Sequence, residues 1–340
     1  MMTSKRAPVR RDAGILRNSA NYPTWVPMRV IRPVALPRNA TIGIVSPSSP
    51  QRDEARLQRG IRYLQSLGYS VKLGTHVLAT HGGYLAGTDE QRAEDLHAMF
   101  RDPQVDAVFC ARGGYGCARL LPLLDFSVFR RHPKIFVGFS DVTVLQMALL
   151  KRTGLVTFSG AMPSVDMADG FDPRSEEQFW RVLTSRRPLG TLYQPNPLGV
   201  IRRGDARGRL MGGNLSVLVS LLGTGYLPPL GNSILALEDV GEATYRIDRM
   251  LVQLAYATRA MPAAGTVYGS WSQPHASAHS TPHRDVHDVL SERMDLASGP
   301  ILSGLMYGHQ AEKFTLPLGV EARLRSARGG SLSLLEAAVV

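Results

Sequence analysis

An apolar stretch leads through a single glycine to a serine in Lys134-Ile-Phe-Val-Gly-Phe-Ser-Asp-Val-Thr143, and an amphipathic run follows over residues 142–150. This order predicts a strand, a sharp turn and a helix. Such a turn presents the side chain of Ser140 at a sheet edge, beside the first N–H groups of the helix. Ser140 is therefore a candidate nucleophile. It needs a base and an orienting acid from elsewhere in the chain, because a neutral hydroxyl is a poor nucleophile.

The segments before this turn alternate between strand-like and helix-like patterns. Strands separated by helices predict a parallel sheet that is covered on both faces. We therefore expect an N-terminal α/β domain of the flavodoxin or Rossmann type. The predicted strands cover 41–46, 69–73, 106–111 and 135–137, and the predicted helices cover 53–67, 89–100 and 118–124.

The pattern changes after residue 154. Residues 186–208 are rich in proline, glycine and arginine, which predicts a linker between two domains. The sequence then predicts an apolar helix after 212–215, a strand at 233–237, a helix at 243–256 and a short strand at 300–302. We expect a basic, disordered tail over 1–32, the N-terminal domain over 33–185, and a smaller β-rich C-terminal domain with a mixed or antiparallel sheet over 209–330.

The charge of the chain is concentrated at one end. Of the formal net charge of +11, residues 1–38 contribute eight basic side chains and one acid, which leaves +4 for the other 302 residues. A nearly balanced body argues against nucleic-acid binding. No apolar run approaches the roughly 18 residues of a membrane span, and we expect a cytoplasmic protein without a membrane partner. Cys110 and Cys117 are too few for a disulfide framework and are expected in the core.

Three further segments carry residues that suit a reaction site. The glycine-rich Arg112-Gly-Gly-Tyr-Gly116 follows a predicted strand, and it is either a simple tight turn or half of an oxyanion hole beside Ser140. His309 is a candidate base. Glu238, Asp239 and Glu242 are candidate acids near the end of an apolar strand. Each feature alone is ordinary, and the hypothesis depends on their joint presence.

Four histidines are spaced four residues apart, which resembles a metal-binding helix face. Pro274 and Pro282 argue against one continuous helix, and no His-Glu-x-x-His pattern is present. We therefore interpret the segment as a variable loop and expect neither a metal nor another cofactor. The histidines are His275, His279, His283 and His287.

Taken together, the motifs resemble those of the LD-carboxypeptidase family, which also contains peptidases that confer microcin C resistance. The resemblance extends from about residue 33 to residue 324 in the order of the family. It rests on Ile44-Val-Ser-Pro47, Gly83-Tyr-Leu-Ala-Gly-Thr-Asp-Glu-Gln-Arg92, Ala111-Arg-Gly-Gly-Tyr-Gly116, Val137-Gly-Phe-Ser-Asp-Val-Thr143, Gly212-Gly-Asn-Leu215, Leu237-Glu-Asp-Val-Gly-Glu242, Tyr245-Arg-Ile-Asp-Arg249, Gly308-His309 and Leu316-Pro-Leu-Gly319.

This resemblance implies a serine peptidase with the triad Ser140, His309 and Glu238. His309 would take the proton of Ser140, Glu238 would orient the imidazole, and the N–H groups of Asp141 and Gly114 would hold the oxyanion. Family members release a C-terminal D-amino acid from murein tetrapeptides, which implies a small peptide substrate. The resemblance also leads us to expect a homodimer.

Two questions stay open at the level of the sequence. A guanidinium would suit the free α-carboxylate of the substrate, and Arg112 is the first candidate, with Arg246 and Arg249 as rivals. The substrate could also be an acyl-adenylate-like antibiotic peptide, for which Trp180 and Trp271 could hold a purine. A non-catalytic binding module and a nucleotide-binding protein are the remaining alternatives.

Overall fold

The computed structural model describes residues 29–272, 284–327 and 329–340. Within these ranges the chain forms two sheets with helices packed against them. The strands are β1 (Thr41–Val45), β2 (Ser70–Leu73), β3 (Ala107–Cys110), β4 (Ile135–Gly138), β5 (Thr157–Ser159), β6 (Gly190–Thr191), β7 (Gly199–Arg202), β8 (Asp205–Asn214), β9 (Ile234–Val240), β10 (Gly265–Ser272), β11 (Ile301–Ser303), β12 (Leu316–Leu318), β13 (Glu321–Arg325) and β14 (Ser331–Leu334).

The helices lie between these strands along the chain. None of them, within the part of the chain that the structure describes, is long and apolar enough to cross a membrane. They are α1 (Glu54–Ser66), α2 (Asp89–Arg101), α3 (Phe126–Arg131), α4 (Thr143–Thr153), α5 (Pro173–Thr184), α6 (Leu215–Ser220), α7 (Thr244–Thr258) and α8 (Val286–Glu292), with 3₁₀ turns at Cys117–Leu123, Ser140–Val142 and Met294–Leu296.

The first sheet has the order β2-β1-β3-β4-β5, and all of these strands are parallel. This is the flavodoxin-like order, which confirms the predicted class of the N-terminal domain. Every residue of β3 and β4 is buried, as expected for parallel strands with helices on both faces. The loops after β1, β3 and β4 therefore leave the same edge of the sheet, which is where such folds bind ligands.

The second sheet is mixed, as the sequence predicts. Its order is β6-β14-β13-β8-β9-β10-β11-β7, with β8, β9, β10 and β11 parallel and the outer pairs antiparallel. Residues 186–208, which the sequence predicts as a linker, contain β6, β7 and the start of β8. Proline and glycine here end short edge strands rather than exclude them.

Helix α4 differs from the amphipathic helix that the sequence predicts. Its residues from Thr143 to Leu150 are all buried, and only Lys151 and Arg152 are exposed. The reason is that β8 of the second sheet, and helix α6 that follows it, contact the face of α4 that does not pack on the first sheet. The helix ends at Gly154, which has a φ of 80°.

One strand of the C-terminal half crosses back to the first sheet. β12 pairs with β5 in antiparallel fashion, through Leu316 with Ser159 and Leu318 with Thr157. Six residues separate this strand from His309. The crossing therefore brings the segment that contains His309 to the domain that contains Ser140.

The N-terminal segment enters the body earlier than predicted. Residues 1–28, most of the predicted tail, lie outside the described residues. Ile31, however, forms a β-bridge with Leu155, and its N–H donates to Gly154 O at 2.8 Å. The end of the predicted tail is thus part of the fold.

Candidate active site

Ser140 is the second residue after β4, in the sharp turn that the sequence predicts. Its backbone has a φ of 63°, in the left-handed region that costs free energy for any residue with a side chain. A side chain on Gly138 would come within 2.4 Å of Val142 Cγ1, so the turn requires a glycine there. Ser140 is partly exposed, and no hydrogen bond joins its hydroxyl to another of the described residues.

The glycine-rich loop after β3 packs against this turn. A Cβ atom on Gly113 would lie 3.0 Å from Ser140 Cβ and 3.5 Å from Ser140 Oγ, whereas one on Gly114 would meet Ser49 Oγ at 2.2 Å. Of these two glycines, Gly113 is thus the one that packs against Ser140, and sequence reasoning did not single it out. Its only signal in the sequence is its place beside Gly114. Any side chain at Gly113 would crowd Phe139 O, at 2.9 Å.

Asp141 connects three loops at the sheet edge. Its buried carboxylate accepts a hydrogen bond from Ser48 Oγ at 2.5 Å and from the Cys117 N–H at 2.9 Å. These bonds join the turn after β4 to the loops after β1 and β3. In the described part of the chain, the N–H groups of Asp141 and Gly114 have no acceptor, so both are free to bind a ligand.

The two cysteines are buried in this region, as expected. Both are free thiols, and burial raises the pKa of each well above its usual value. They are therefore uncharged packing residues at neutral pH.

His309 and Glu238 form a hydrogen-bonded pair. His309 Nδ1 lies 2.7 Å from Glu238 Oε2, and the glutamate side chain is fully buried while the histidine is 25% exposed. Because a carboxylate can only accept, Nδ1 carries the proton and Nε2 is left for another partner. The imidazole packs on Phe139, whose ring centroid is 4.9 Å away. Phe139 directly precedes Ser140, so the histidine lies beside the turn that holds the serine.

The other two candidate acids have different partners. Asp239 is buried and accepts hydrogen bonds from Asn214 Nδ2 and from the N–H of Ser216, and burial raises its pKa. Glu242 lies 3.6 Å from Arg246 on the exposed face of α7. Neither contacts His309. Glu238 lies within β9, which continues to Val240, rather than at the end of the strand.

The three candidate arginines differ in their surroundings. Arg112 is half-buried and donates to Gly113 O and Pro50 O. Burial, followed by the positive charges of Arg52 and Arg56, lowers the pKa of Arg112. No carboxylate pairs with Arg112 among the described residues, although it adjoins the glycine loop.

The two rivals of Arg112 lie elsewhere. Arg246 is exposed and pairs with Glu242, and Arg249 is also exposed on α7.

The two tryptophans are not brought together as a purine site. Trp180 stacks on Tyr69 at 5.1 Å between ring centroids and donates its indole N–H to the hydroxyl of Tyr63. Trp271 lies on β10, where it packs edge-on to Tyr268. Each ring thus packs against aromatic neighbours in its own half of the chain.

Most of the histidine-rich segment lies outside the described residues, which exclude 273–283. Its last member, His287, lies in α8. Exposed ligand atoms of Asp285, His287 and Asp288 come within 4.8 Å of one another. This group belongs to the surface of α8 and contacts none of the residues around Ser140.

A hydrolase is the class of protein to which this arrangement points, because a serine on a strained turn adjoins free N–H groups and a buried acid–imidazole pair. Comparison with known proteins narrows that class. Residues 42–160 match the LD-carboxypeptidase N-terminal domain and residues 207–324 match the LD-carboxypeptidase C-terminal domain. The chain belongs to the LD-carboxypeptidase family, and it is a peptidase.

Relatives with named activities agree with this assignment. The probable murein peptide carboxypeptidase of Bacillus subtilis is 37% identical over 91% of this chain and 95% of its own. The crystal structure of muramoyltetrapeptide carboxypeptidase from Oxalobacter formigenes superposes with a TM-score of 0.76 at 34% identity, covering 86% of this chain and 98% of that one. The microcin C7 self-immunity protein MccF of Escherichia coli is 28% identical over 83% of this chain and 89% of its own.

Proposed function

We propose that this protein is a serine-type LD-carboxypeptidase that removes the C-terminal D-alanine from murein tetrapeptides. The observation that carries the proposal is the buried Glu238–His309 pair beside the turn of Ser140. The names of the Bacillus and Oxalobacter relatives support the substrate class. A peptidase of this kind would act on peptides released from the cell wall and returned to the cytoplasm.

In the proposed mechanism, Ser140 Oγ attacks the carbonyl carbon of the L,D-peptide bond while His309 Nε2 takes its proton. Glu238 holds the Nδ1–H tautomer and stabilises the imidazolium that forms. The imidazolium then protonates the amino group of the leaving D-alanine. Water attacks the resulting acyl-enzyme with His309 again as the base, which frees the tripeptide and restores Ser140.

The negative charge of the tetrahedral intermediate needs donors that are already in place. The free N–H groups of Asp141 and Gly114 are our candidates, since each belongs to a loop that is fixed by the carboxylate of Asp141 or by Ser49. Fixed donors cost no reorganisation during the reaction. Gly113 supports this role because only a residue without a side chain can pack so closely on Ser140.

The direct test is to incubate the purified protein with L-Ala-γ-D-Glu-meso-diaminopimelyl-D-Ala and to measure free D-alanine. We expect stoichiometric release of D-alanine and of the tripeptide. A control substrate with L-alanine at the C-terminus should stay intact. Cleavage of neither peptide, by protein whose folding is verified by circular dichroism, would contradict the proposal.

A peptidyl-adenylate is the second candidate substrate, and the relation to MccF favours it. The packing of Trp180 on Tyr69 and Tyr63 argues against the purine site that the sequence suggested, because that ring is already covered. We expect an aminoacyl sulfamoyl adenosine to be turned over at least about tenfold more slowly than the tetrapeptide, a difference of about 1.4 kcal/mol in transition-state binding. Assaying both substrates with one enzyme preparation distinguishes the two.

Arg112 is our candidate for binding the terminal carboxylate of the substrate. A guanidinium without a carboxylate partner, half-buried beside the glycine loop, would gain a charge-assisted hydrogen bond from that group. We expect Arg112→Ala to raise KM by about 10- to 100-fold, which corresponds to 1.4–2.8 kcal/mol. Steady-state kinetics with the tetrapeptide give this value, with Arg249→Ala as the exposed control.

A substrate ending in D-alaninamide makes the test of Arg112 specific. If the guanidinium binds the carboxylate, replacing the carboxylate by an amide should greatly weaken binding to the wild type. The same replacement should weaken binding to Arg112→Ala only slightly. Equal losses in both proteins would exclude Arg112 from this role.

We expect the reaction to need no metal, because a hydroxyl nucleophile with an imidazole base can act without one. Dialysis against EDTA should therefore leave kcat within about twofold of its starting value, which is less than 0.5 kcal/mol. Loss of activity that zinc restores would instead assign a function to the histidines between His275 and His287.

The cytoplasmic location and the homodimer are further parts of this proposal. Both rest on the sequence and on the resemblance to the family. Cell fractionation with an antibody to the protein tests the first, and light scattering on the purified protein tests the second. A monomer at micromolar concentration would contradict the predicted dimer.

A further inference from the structure

A buried ion pair lies next to the proposed triad. Lys313 Nζ is 2.7 Å from Asp166 Oδ1, and the two side chains are only 5% and 7% exposed. Lys313 follows His309 by four residues, and its N–H donates to Ser175 Oγ on α5. Asp166 belongs to the loop after β5 and also accepts from the N–H of Met162. The pair therefore joins the segment of His309 to the domain of Ser140.

One aromatic ring connects this pair to the histidine. Lys313 Nζ lies 4.8 Å from the centroid of the Phe139 ring, and the imidazole of His309 lies 4.9 Å from the same centroid. The two separations bring the ammonium within about 10 Å of the imidazole, a range over which an uncompensated charge is felt in a protein interior. Phe139 is also the residue before Ser140. A single ring is thus in contact with the base, with the cation and with the turn of the nucleophile.

Such a pair is an expensive way to stabilise a fold. Removing two charges from water costs free energy that their attraction only partly returns, and apolar residues of similar size often stabilise as well. Because stability alone does not account for the ion pair, its position beside the reaction site indicates a function in that site. The cation–π contact with Phe139 fixes where the ammonium lies, and the carboxylate of Asp166 cancels its charge.

We propose that Lys313 and Asp166 are positioning residues, whose ion pair holds Phe139 against His309 and, because its two charges cancel, adds no net charge to the surroundings of the imidazole. This inference rests on the proposed role of His309 as the base. The pair contacts neither the substrate nor the reacting atoms in this scheme. It acts through Phe139 on the geometry of the site, and through its cancelled charges on the protonation of the imidazole.

Other titratable groups surround His309 and must be held constant in a test. Glu238 on β9 is its hydrogen-bond partner. Tyr307 packs on Phe139 and shares a hydrogen bond with Ser159 Oγ, and burial keeps its phenol neutral by raising its pKa. Asp141 lies after Ser140, and Glu312 is exposed on the loop of His309. None of these groups changes in the variants below.

The experiment compares pH profiles of kcat/KM for Lys313→Met, Asp166→Asn and the double variant. Lys313→Met leaves the carboxylate uncompensated, which stabilises the imidazolium and moves the acidic limb to higher pH. Asp166→Asn leaves the ammonium uncompensated and moves the limb to lower pH. We expect a displacement of about one pH unit in at least one single variant, and a return toward the wild-type position in the double variant.

The effect of the ion pair on the geometry of the site is measured through kcat and KM. We expect kcat to fall by about 10- to 100-fold in the single variants with KM nearly unchanged, since misplacement of a catalytic group affects the chemical step. Lys72→Met is the matched control, because Lys72 also pairs with an aspartate, Asp102, but lies half-exposed on the edge strand β2. Its profile and its kcat should equal those of the wild type.

The imidazole can also be observed without turnover. NMR titration of ¹⁵N-histidine-labelled protein measures the displacement of the His309 titration in each variant without any substrate. The His309 signals are assigned by comparison with a His309→Asn sample, in which they are missing. Melting curves show whether either single-substitution variant fails to fold. In that case kcat of the double variant, which buries no unpaired charge, is compared with that of the wild type.

The outcomes separate the two proposals. Failure of the wild type to release D-alanine contradicts the proposed function, while the NMR titration still tests the effect of the pair on His309. Folded variants that all retain the titration position and the kcat of the wild type would show that the pair serves packing alone, and the inference would then be wrong.

Discussion

Replacement of Ser140 by alanine is expected to lower kcat for D-alanine release by about 10⁴- to 10⁶-fold. The variant removes only the hydroxyl, which forms no hydrogen bond to another described residue, and it keeps the Cβ atom that packs on Gly113. We therefore expect an unchanged circular dichroism spectrum and a melting temperature close to that of the wild type. Quantification of D-alanine over long incubations measures the residual rate.

Ser140→Gly is the control for the strained turn. At a φ of 63° a glycine pays no steric cost, so this variant should be more stable than Ser140→Ala by about 1 kcal/mol and equally inactive. Urea unfolding of both variants gives the difference. Activity within tenfold of the wild type in either variant would remove Ser140 from the mechanism.

The second large effect is expected for Glu238→Gln, which should lower kcat by about 10⁴-fold. A glutamine can present its amide nitrogen to His309 Nδ1 and so favour the wrong tautomer, and it cannot stabilise an imidazolium. The fold should tolerate the change, because a neutral amide is easier to bury than a carboxylate whose other oxygen, Oε1, has no partner among the described residues. Kinetics and thermal melting of the same preparation test both statements.

Glu242→Gln is the matched control for this prediction. Among the described residues, Glu242 pairs with the exposed Arg246 alone, at 3.6 Å, an interaction of about 0.3–0.5 kcal/mol. We expect a slight loss of stability and no measurable change in kcat. The reverse pattern, with an inactive Glu242→Gln and an active Glu238→Gln, would transfer the role of the acid to Glu242.

The sequence predicts those features whose signals are local. The buried strands β1, β3 and β4 are short apolar runs, and the turn at Ser140 follows from one glycine and one serine after such a run. The parallel arrangement of the first sheet follows because helices separate its strands, whereas the order of those strands comes from the structure. The association of Ser140, Glu238 and His309 came from the resemblance to a family and not from spacing, since the first and the last are 169 positions apart.

Contacts between distant segments account for what the sequence did not predict. Helix α4 is buried on every face from Thr143 to Leu150 because the second sheet lies on it, and no periodicity within residues 143–153 encodes that partner. Residues 190–191 and 199–202 form strands because β14 and β11 offer free edges. Propensity describes one segment at a time, and tertiary pairing overrides it in such places.

The ion pair beside His309 was missed for the same reason. Lys313 and Asp166 are 147 residues apart and resemble ordinary surface charges in the sequence. Only the fold reveals that both are buried and that Phe139 lies between the ammonium and the imidazole. A buried lysine four residues after a candidate catalytic histidine has no signal that sequence patterns could detect.

The pairing of β12 with β5 bears on the order in which the nascent chain can fold. About 150 residues are translated between the two strands, which at typical rates takes roughly 8–30 s. During this interval the outer edge of β5 has no strand to cover it, and such an edge is a template for aggregation. Although the five parallel strands are then already made, β5 gains its antiparallel neighbour only when residue 318 has left the ribosome, and until then its outer edge is open to pairing with other chains.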